Sequence, residues 1–226
     1  MIKIKELSKH YGNHEVLKSI NLEFTNGKVY GIVGENGVGK TTLFRCIAGL
    51  EDYKGEITST LSPLKNHLGL LLTEPFFFSK ITGAEYIRLL CNARNINIKQ
   101  IENRNVFELP LNQYASTYST GMKKKLALTA ILLQENYYYI LDEPFNGVDI
   151  QSNIILMEII NKLKELNKIV IISSHIFSTL SDTCDEILLL RKGEQIKTVE
   201  KHEFNKLEEE MKTVSIGNKI EKLELK

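Results

Sequence analysis

The stretch GIVGENGVGKTTL (31–43) decides how the chain is read. An apolar, strand-like run breaks into Gly34, Gly37 and Gly39, then Lys40, Thr41 and Thr42. Residues 34–41 match G-x-x-x-x-G-K-[ST] without a gap. Glycines at this spacing let successive backbone N–H groups curl into a nest around phosphate oxygens. The helix that follows turns its positive dipole end toward the same point. Gly34, Asn36, Gly37 and Gly39 form the cradle, Lys40 reaches the outer phosphates, and the Thr41 hydroxyl is placed for Mg²⁺. The competing reading is a glycine-rich turn between strand and helix. It loses because "KVYGIVG" before the loop and 41–50 after it supply the strand and helix that the motif needs. A bound nucleoside triphosphate is the expectation.

A second polar cluster closes another apolar strand, YYYILDEP (137–144). Ligands of open α/β sheets sit outside the carboxyl ends of the strands. Asp142 is therefore placed to hold Mg²⁺, and Glu143 to take a proton from, or orient, an attacking water. The three tyrosines 137–139 each need a hydroxyl partner if buried.

Apolar runs at 28–33, 67–72, 137–141 and 168–174 alternate with helical patterns, which predicts a mostly parallel sheet covered on both faces. Residues 2–11 and 16–24 alternate apolar and polar and predict a smaller antiparallel sheet. Asn26-Gly27 reads as a hairpin turn. Thr82 and Glu85 form a capping box for a helix from 83 to about 94, with Ile81 and Tyr86 at the staple positions. An amphipathic helix is expected over 150–167, with Ile154, Ile155, Met157, Ile159, Leu163 and Leu166 apolar. Residues 186–200 read as a hairpin about Lys192-Gly193, and 201–212 as a short helix. The region 74–120 interrupts the alternation and reads as a helical insertion.

Composition bounds the rest. The 226 residues suffice for one domain carrying an insertion. A net charge of +1 calls for neither nucleic acid nor an anionic membrane surface. Cys46, Cys91 and Cys184 are far apart and form no CxxC, which fits reduced structural thiols of a cytosolic protein. The N-terminal residues lack the apolar core of a signal peptide, and no apolar run approaches the ~20 residues that span a bilayer. Any membrane-spanning part is expected on another chain.

With these motifs in place, the chain resembles an ATP-binding cassette (ABC) nucleotide-binding domain over essentially its whole length. The specific mark is YSTGMKKKLALTAILL (118–133), which lies 23 residues before Asp142 when counted from Ser119 and matches the family signature, typically LSGGQ. Ser119 and Gly121 are retained; Tyr118, Thr120 and Met122 depart from the type sequence. Ser119 is a good N-cap. Lys123, Lys124 and Lys125 crowd the first turns, where the helix dipole disfavours cations. An arriving triphosphate would relieve that conflict, or at least two of the lysines form a solvated face.

The resemblance implies an α/β P-loop NTPase with a mostly parallel core sheet, a small antiparallel N-terminal sheet and a helical subdomain. It implies a single ABC domain over 1–226: a nucleotide-binding core of 1–73 and 121–205, a helical subdomain of 74–120, and an unassigned extension of 206–226. It implies ATP and Mg²⁺ as ligands, and a head-to-tail dimer of two cassettes, identical or not. In that dimer Ser119 and Gly121 of one chain contact the γ-phosphate held by Lys40 of the other. Asp149 resembles the D-loop aspartate at the dimer interface. His175 resembles the switch histidine that contacts the γ-phosphate and the attacking water. Tyr11 resembles the aromatic residue that stacks on adenine. Thr42 follows the loop and belongs to the same binding set.

The family usually carries an Mg²⁺-ligating glutamine where this chain has Thr73, with Glu74 beside it. Either residue could substitute. The implied function is ATP hydrolysis that drives a separate transmembrane permease, in the direction of export, from the cytoplasmic face of the membrane. Phe76–Phe78 form either part of the permease groove or core of the insertion. The rival functions are a soluble ABC ATPase of an assembly or repair complex, and a nucleotide-gated module with little turnover.

Overall fold

The computed structural model describes residues 1–216. Two sheets carry the architecture. The smaller has strand order β2-β1-β4, built from β1 (Ile2–Tyr11), β2 (His14–Phe24) and β4 (Lys54–Ser59), all antiparallel. The larger contains β5 (Leu68–Leu71), β6 (Tyr138–Asp142), β7 (Ile169–Ser174), β3 (Lys28–Val33), β8 (Glu186–Arg191) and β9 (Glu194–Glu200), in that spatial order. Its first five strands run parallel; β9 returns antiparallel as the predicted hairpin about Lys192-Gly193.

Successive residues of the large sheet feed opposite faces, as strand pleating requires. Tyr30, Ile32, Tyr138, Ile140, Ile169 and Ile171 join one hydrophobic cluster with the small sheet and α1 (Lys40–Ile47). Val29, Val33, Tyr139, Leu141, Val170 and Ile172 join another on the opposite side. That second cluster is completed by α2 (Gly83–Asn92), α3 (Thr120–Leu133), α4 (Ile150–Glu165), α5 (Phe177–Thr183) and α6 (Phe204–Ile216). The sheet is thus apolar on both faces, which is why its strands read as unbroken hydrophobic runs. The three cysteines are buried and free.

The capping box before α2 is present in both directions. Thr82 N–H donates to Glu85 Oε2 at 2.8 Å and Glu85 N–H donates to Thr82 Oγ1 at 3.3 Å. Thr82→Ala should cost about 1 kcal/mol of stability. Chemical denaturation would measure it, and an unchanged midpoint would show that α2 is held by its packing alone.

Two readings are corrected, and one strand is added. Asn26-Gly27 is a turn, but it makes no hairpin: β2 belongs to the small sheet, whereas β3 pairs with β7 and β8. Local turn chemistry fixes a reversal, and the pairing is decided by non-local packing. In α4 the buried face is Ser152, Leu156, Ile160 and Leu163, while Ile154 and Leu166 are exposed. Finally, β4 has no counterpart in the sequence reading, because KGEITS is polar and mostly exposed at a sheet edge. The region 74–120 holds α2 and two short 3₁₀ turns, Ile101–Arg104 and Ala115–Thr117. The C-terminal stretch left unassigned by sequence begins within α6; residues 217–226 lie outside the described residues.

Candidate functional site

Four adjacent parallel strands deliver polar groups at their carboxyl ends. β5 leads to Thr73, β6 ends in Asp142 and leads to Glu143, β7 ends in Ser173-Ser174 and leads to His175, and β3 leads to the glycine loop. The register sets Asp142 opposite Ser173 and Val33 opposite Ser174, so these ends are level. Together they line one cavity of about 310 Å³, with Asn36, Gly37, Gly39, Lys40, Thr41, Thr42, Thr73, Asp142, Glu143, Asn146 and His175 on its walls. This is where the strand-end rule for open sheets places a ligand.

The loop enters α1 through Gly39, whose φ of +108° an L side chain rarely adopts. Lys40 is buried, and its Nζ donates to the carbonyls of Gly34 at 2.6 Å and Glu35 at 3.1 Å. Burial pushes its ammonium pKa down, and the charges of Glu143 and Asp142 push against that. Gly34 itself lies outside the cavity, packed against the Leu190 carbonyl of β8.

Asp142 is 0% exposed and accepts three hydroxyl hydrogen bonds. Thr41 Oγ1 and Thr73 Oγ1 donate to its Oδ2 at 2.6 and 2.8 Å, and Ser173 Oγ donates to Oδ1. Between Thr73 and Glu74, only Thr73 lines the cavity; Glu74 is exposed. Glu143 Oε2 lies 2.8 Å from His175 Nδ1. The Glu143 backbone has a φ of +50°, and its N–H donates to Ser173 Oγ at 3.0 Å.

Tyr11, at the end of β1, does not line the cavity. Glu51 and Thr42, a cavity residue, are among the groups that act on its hydroxyl. The Lys9 ammonium sits 4.7 Å from the ring centroid and is itself paired with Asp52 at 2.6 Å and Glu51 at 3.1 Å. Desolvation is the largest cause raising the Tyr11 hydroxyl pKa.

Ser119, Gly121 and Asp149 form a second group outside the cavity. Ser119 caps α3 by accepting from Met122 N–H at 3.3 Å. A Cβ on Gly121 would lie 2.5 Å from the Gly147 carbonyl, so this position admits only glycine while the two segments stay this close. Asp149 caps α4: its Oδ1 accepts from Ser152 N–H at 2.9 Å, and its Oδ2 accepts from Lys125 Nζ at 2.9 Å and Ser152 Oγ at 2.8 Å. The Ser152 N–H first, and then Lys125, hold its carboxyl well below the usual carboxylate range.

The expectation that at least two of the three lysines form a solvated face is corrected. Lys124 is buried on two carbonyls, and Lys125 is paired with Asp149. The dipole conflict at the start of α3 is relieved within the chain, without an arriving ligand. Ser173 and Asn146 escaped the sequence reading, as did the inward turn of Lys124. Only the strand register and helix packing reveal them, although "IVIISS" before His175 was a signal for polar groups at a strand end.

Comparison with known proteins fits this geometry. The ABC transporter family model matches residues 17–146. The bacitracin transport ATP-binding protein BcrA of Enterococcus faecalis is 30% identical over 223 residues, covering 91% of this chain and 71% of that protein. The SkfA peptide export ATP-binding protein SkfE of Bacillus subtilis is 26% identical over 227 residues, covering 95% of each chain. A solved ATP-binding subunit of an ABC transporter superposes with a TM-score of 0.78 at 25% identity, over 88% of this chain and 90% of that one. With more than half of the sequence matched by the family model, the chain belongs to the ABC transporter family, as an ATP-binding subunit that hydrolyses ATP.

Proposed function

We propose that the chain is the energy-coupling subunit of an exporter, working at the cytoplasmic face of a membrane with separate permease chains. What carries the reading is the convergence of Lys40, Thr41, Thr73, Asp142, Glu143 and His175 on one cavity. The phosphates lie in the cradle of Asn36, Gly37 and Gly39, which Gly34 anchors to β8. Lys40 moves from the loop carbonyls to the outer phosphate oxygens, where an ammonium is worth more. Tyr11 stacks on the base, with Thr42 between ring and phosphates.

The donor set suits Mg²⁺. Thr41, Thr73 and Asp142 are hard oxygen ligands meeting at Asp142 Oδ2, and Mg²⁺ takes few protein ligands alongside substrate phosphates. When bound, the ion neutralises charge developing on the transferred phosphoryl group. Glu143 accepts the proton of the attacking water, and His175 at 2.8 Å orients its carboxylate. Ser119, Gly121 and the Asp149 segment face a second cassette, so that two chains close head-to-tail around two nucleotides. Nucleotide binds the closed pair better than the open one, and this difference is what shifts the population.

For the permease, the supporting feature is Phe76 and Phe78, 73% and 57% exposed, stacked edge to face at 5.4 Å. Only Phe77 packs inward, on Tyr86 at 4.5 Å. An exposed aromatic pair next to Thr73 suits a docking site for an apolar helix. Among the described residues no helix is long and apolar enough to cross a membrane. The bacitracin and peptide export relatives favour an exported peptide-like cargo, and the near-neutral charge gives no reason to expect nucleic acid.

A pull-down tests the proposal, with tagged Glu143→Gln and ATP-Mg²⁺ as bait in detergent-solubilised native membranes. A polytopic membrane protein is expected, lost when Phe76 and Phe78 are replaced by serine. Recovery of soluble partners alone would overturn the transporter reading in favour of an assembly or repair ATPase.

A further inference from the structure

Lys124 is a buried cation that the mechanism above does not use. It is 3% exposed on α3, and among the described residues it has no carboxylate within ion-pairing distance. Its Nζ donates instead to two backbone carbonyls, Glu143 at 2.8 Å and Asn146 at 2.7 Å. These are the two ends of one turn, which is also closed by Asn146 N–H donating to the Glu143 carbonyl at 3.2 Å.

The turn needs holding. Glu143 has a φ of +50° and precedes Pro144. A non-glycine residue rarely adopts positive φ, and a following proline narrows its choices further. Such a conformation persists only when its surroundings over-determine it. Here they do. The Glu143 N–H is bonded to Ser173, its carbonyl to Lys124 and Asn146, and its carboxylate to His175. Burial lowers the Lys124 ammonium pKa, while the charges of Glu143 and Asp142 oppose that shift.

We propose that Lys124 is a positioning residue for ATP hydrolysis, which holds the strained Glu143–Asn146 turn so that the Glu143 carboxylate faces the cavity. It rests on the reading of Glu143 as the proton acceptor. Because Lys124 stands five residues after Ser119 on the same helix, it also ties the segment assigned to one nucleotide to the base acting on the other. Movement of α3 would then be felt at Glu143 directly, through two hydrogen bonds.

Three variants test it in the full chain: Lys124→Met, which removes both donors; Lys124→Gln, which keeps an amide donor but no charge; and Glu143→Gln. ATP turnover, ATP affinity by calorimetry and thermal melting are measured for each. K124M is expected to lower kcat by about 10- to 100-fold, with ATP affinity within about 2-fold of the parent. K124Q is expected to recover most of that loss. Parental turnover in K124M overturns the inference, as does an equal loss in K124M and K124Q. A fall in ATP affinity matching the fall in kcat also overturns it, because the lysine would then serve the fold or the binding site as a whole. Should K124M melt below the assay temperature, K124Q decides alone, and a folded K124Q about 10-fold slower than the parent rejects the assignment. Normal turnover in E143Q would instead reject the underlying reading of Glu143.

Discussion

Glu143→Gln should bind ATP as the parent does and hydrolyse it about 10²–10⁴-fold more slowly. The substitution is nearly isosteric and leaves the strained backbone as it was. The contacts of Ser173 and Lys124 with residue 143 go to its main chain, so they survive the change. An amide can still meet His175, but it cannot take a proton from water at neutral pH. Lys40 and the loop N–H groups are untouched, so nucleotide enters normally. With hydrolysis removed and one negative charge fewer facing the phosphates, the closed pair should accumulate. Size-exclusion chromatography with ATP-Mg²⁺ would show it as a dimer. Near-parental turnover would sink the role given to Glu143, and a variant that stays monomeric with ATP would count against closure by two nucleotides.

Lys40→Ala acts at the earlier step. Among the described residues lining the cavity, Lys40 is the one lysine or arginine, and its ammonium opposes the carboxylates of Asp142 and Glu143. Removing it leaves a tetravalent ligand facing two acidic side chains. It also frees the carbonyls of Gly34 and Glu35, which then face a loop meant to bind anions. Loss of a charge-assisted hydrogen bond of this kind should weaken ATP binding by about 10- to 100-fold. Calorimetry with ATP on the purified chain measures it directly. An unchanged dissociation constant would withdraw the phosphate assignment from the loop. The two variants therefore separate: one loses chemistry with binding intact, the other loses binding first.

The site was legible where a function is written in consecutive residues. The glycine loop, Asp142-Glu143 and His175 each sit at the end of a strand whose apolar run is unmistakable, and the parallel sheet brings those ends level. What stayed hidden depends on contacts between distant segments. Ser173 reaches Asp142 because β6 and β7 pair in one register. Lys124 reads as one of three similar lysines until the packing of α3 turns it inward. The Asn26-Gly27 turn shows the same limit from the other side, since the local signal was right about the reversal and silent about the sheet that β3 joins. β4 was lost because an edge strand on a half-exposed sheet has little apolar patterning to read. The family resemblance implies an interface role for Asp149 and says nothing of what its carboxylate does within the chain, where it caps α4 and pairs with Lys125.

The three thiols have a consequence for watching the molecule work. Cys46, Cys91 and Cys184 are each at most 1% exposed, and burial pushes the first two up to about 11 and the third higher still. Thiolate is the reactive form, so folded chains present almost none to an alkylating dye. The native protein is therefore a blank background for labelling. One cysteine placed at Glu158, on the outer side of α4, would carry a fluorophore or spin label at a single address. Two such chains would then report their separation as nucleotide arrives and leaves, with every native cysteine kept in place.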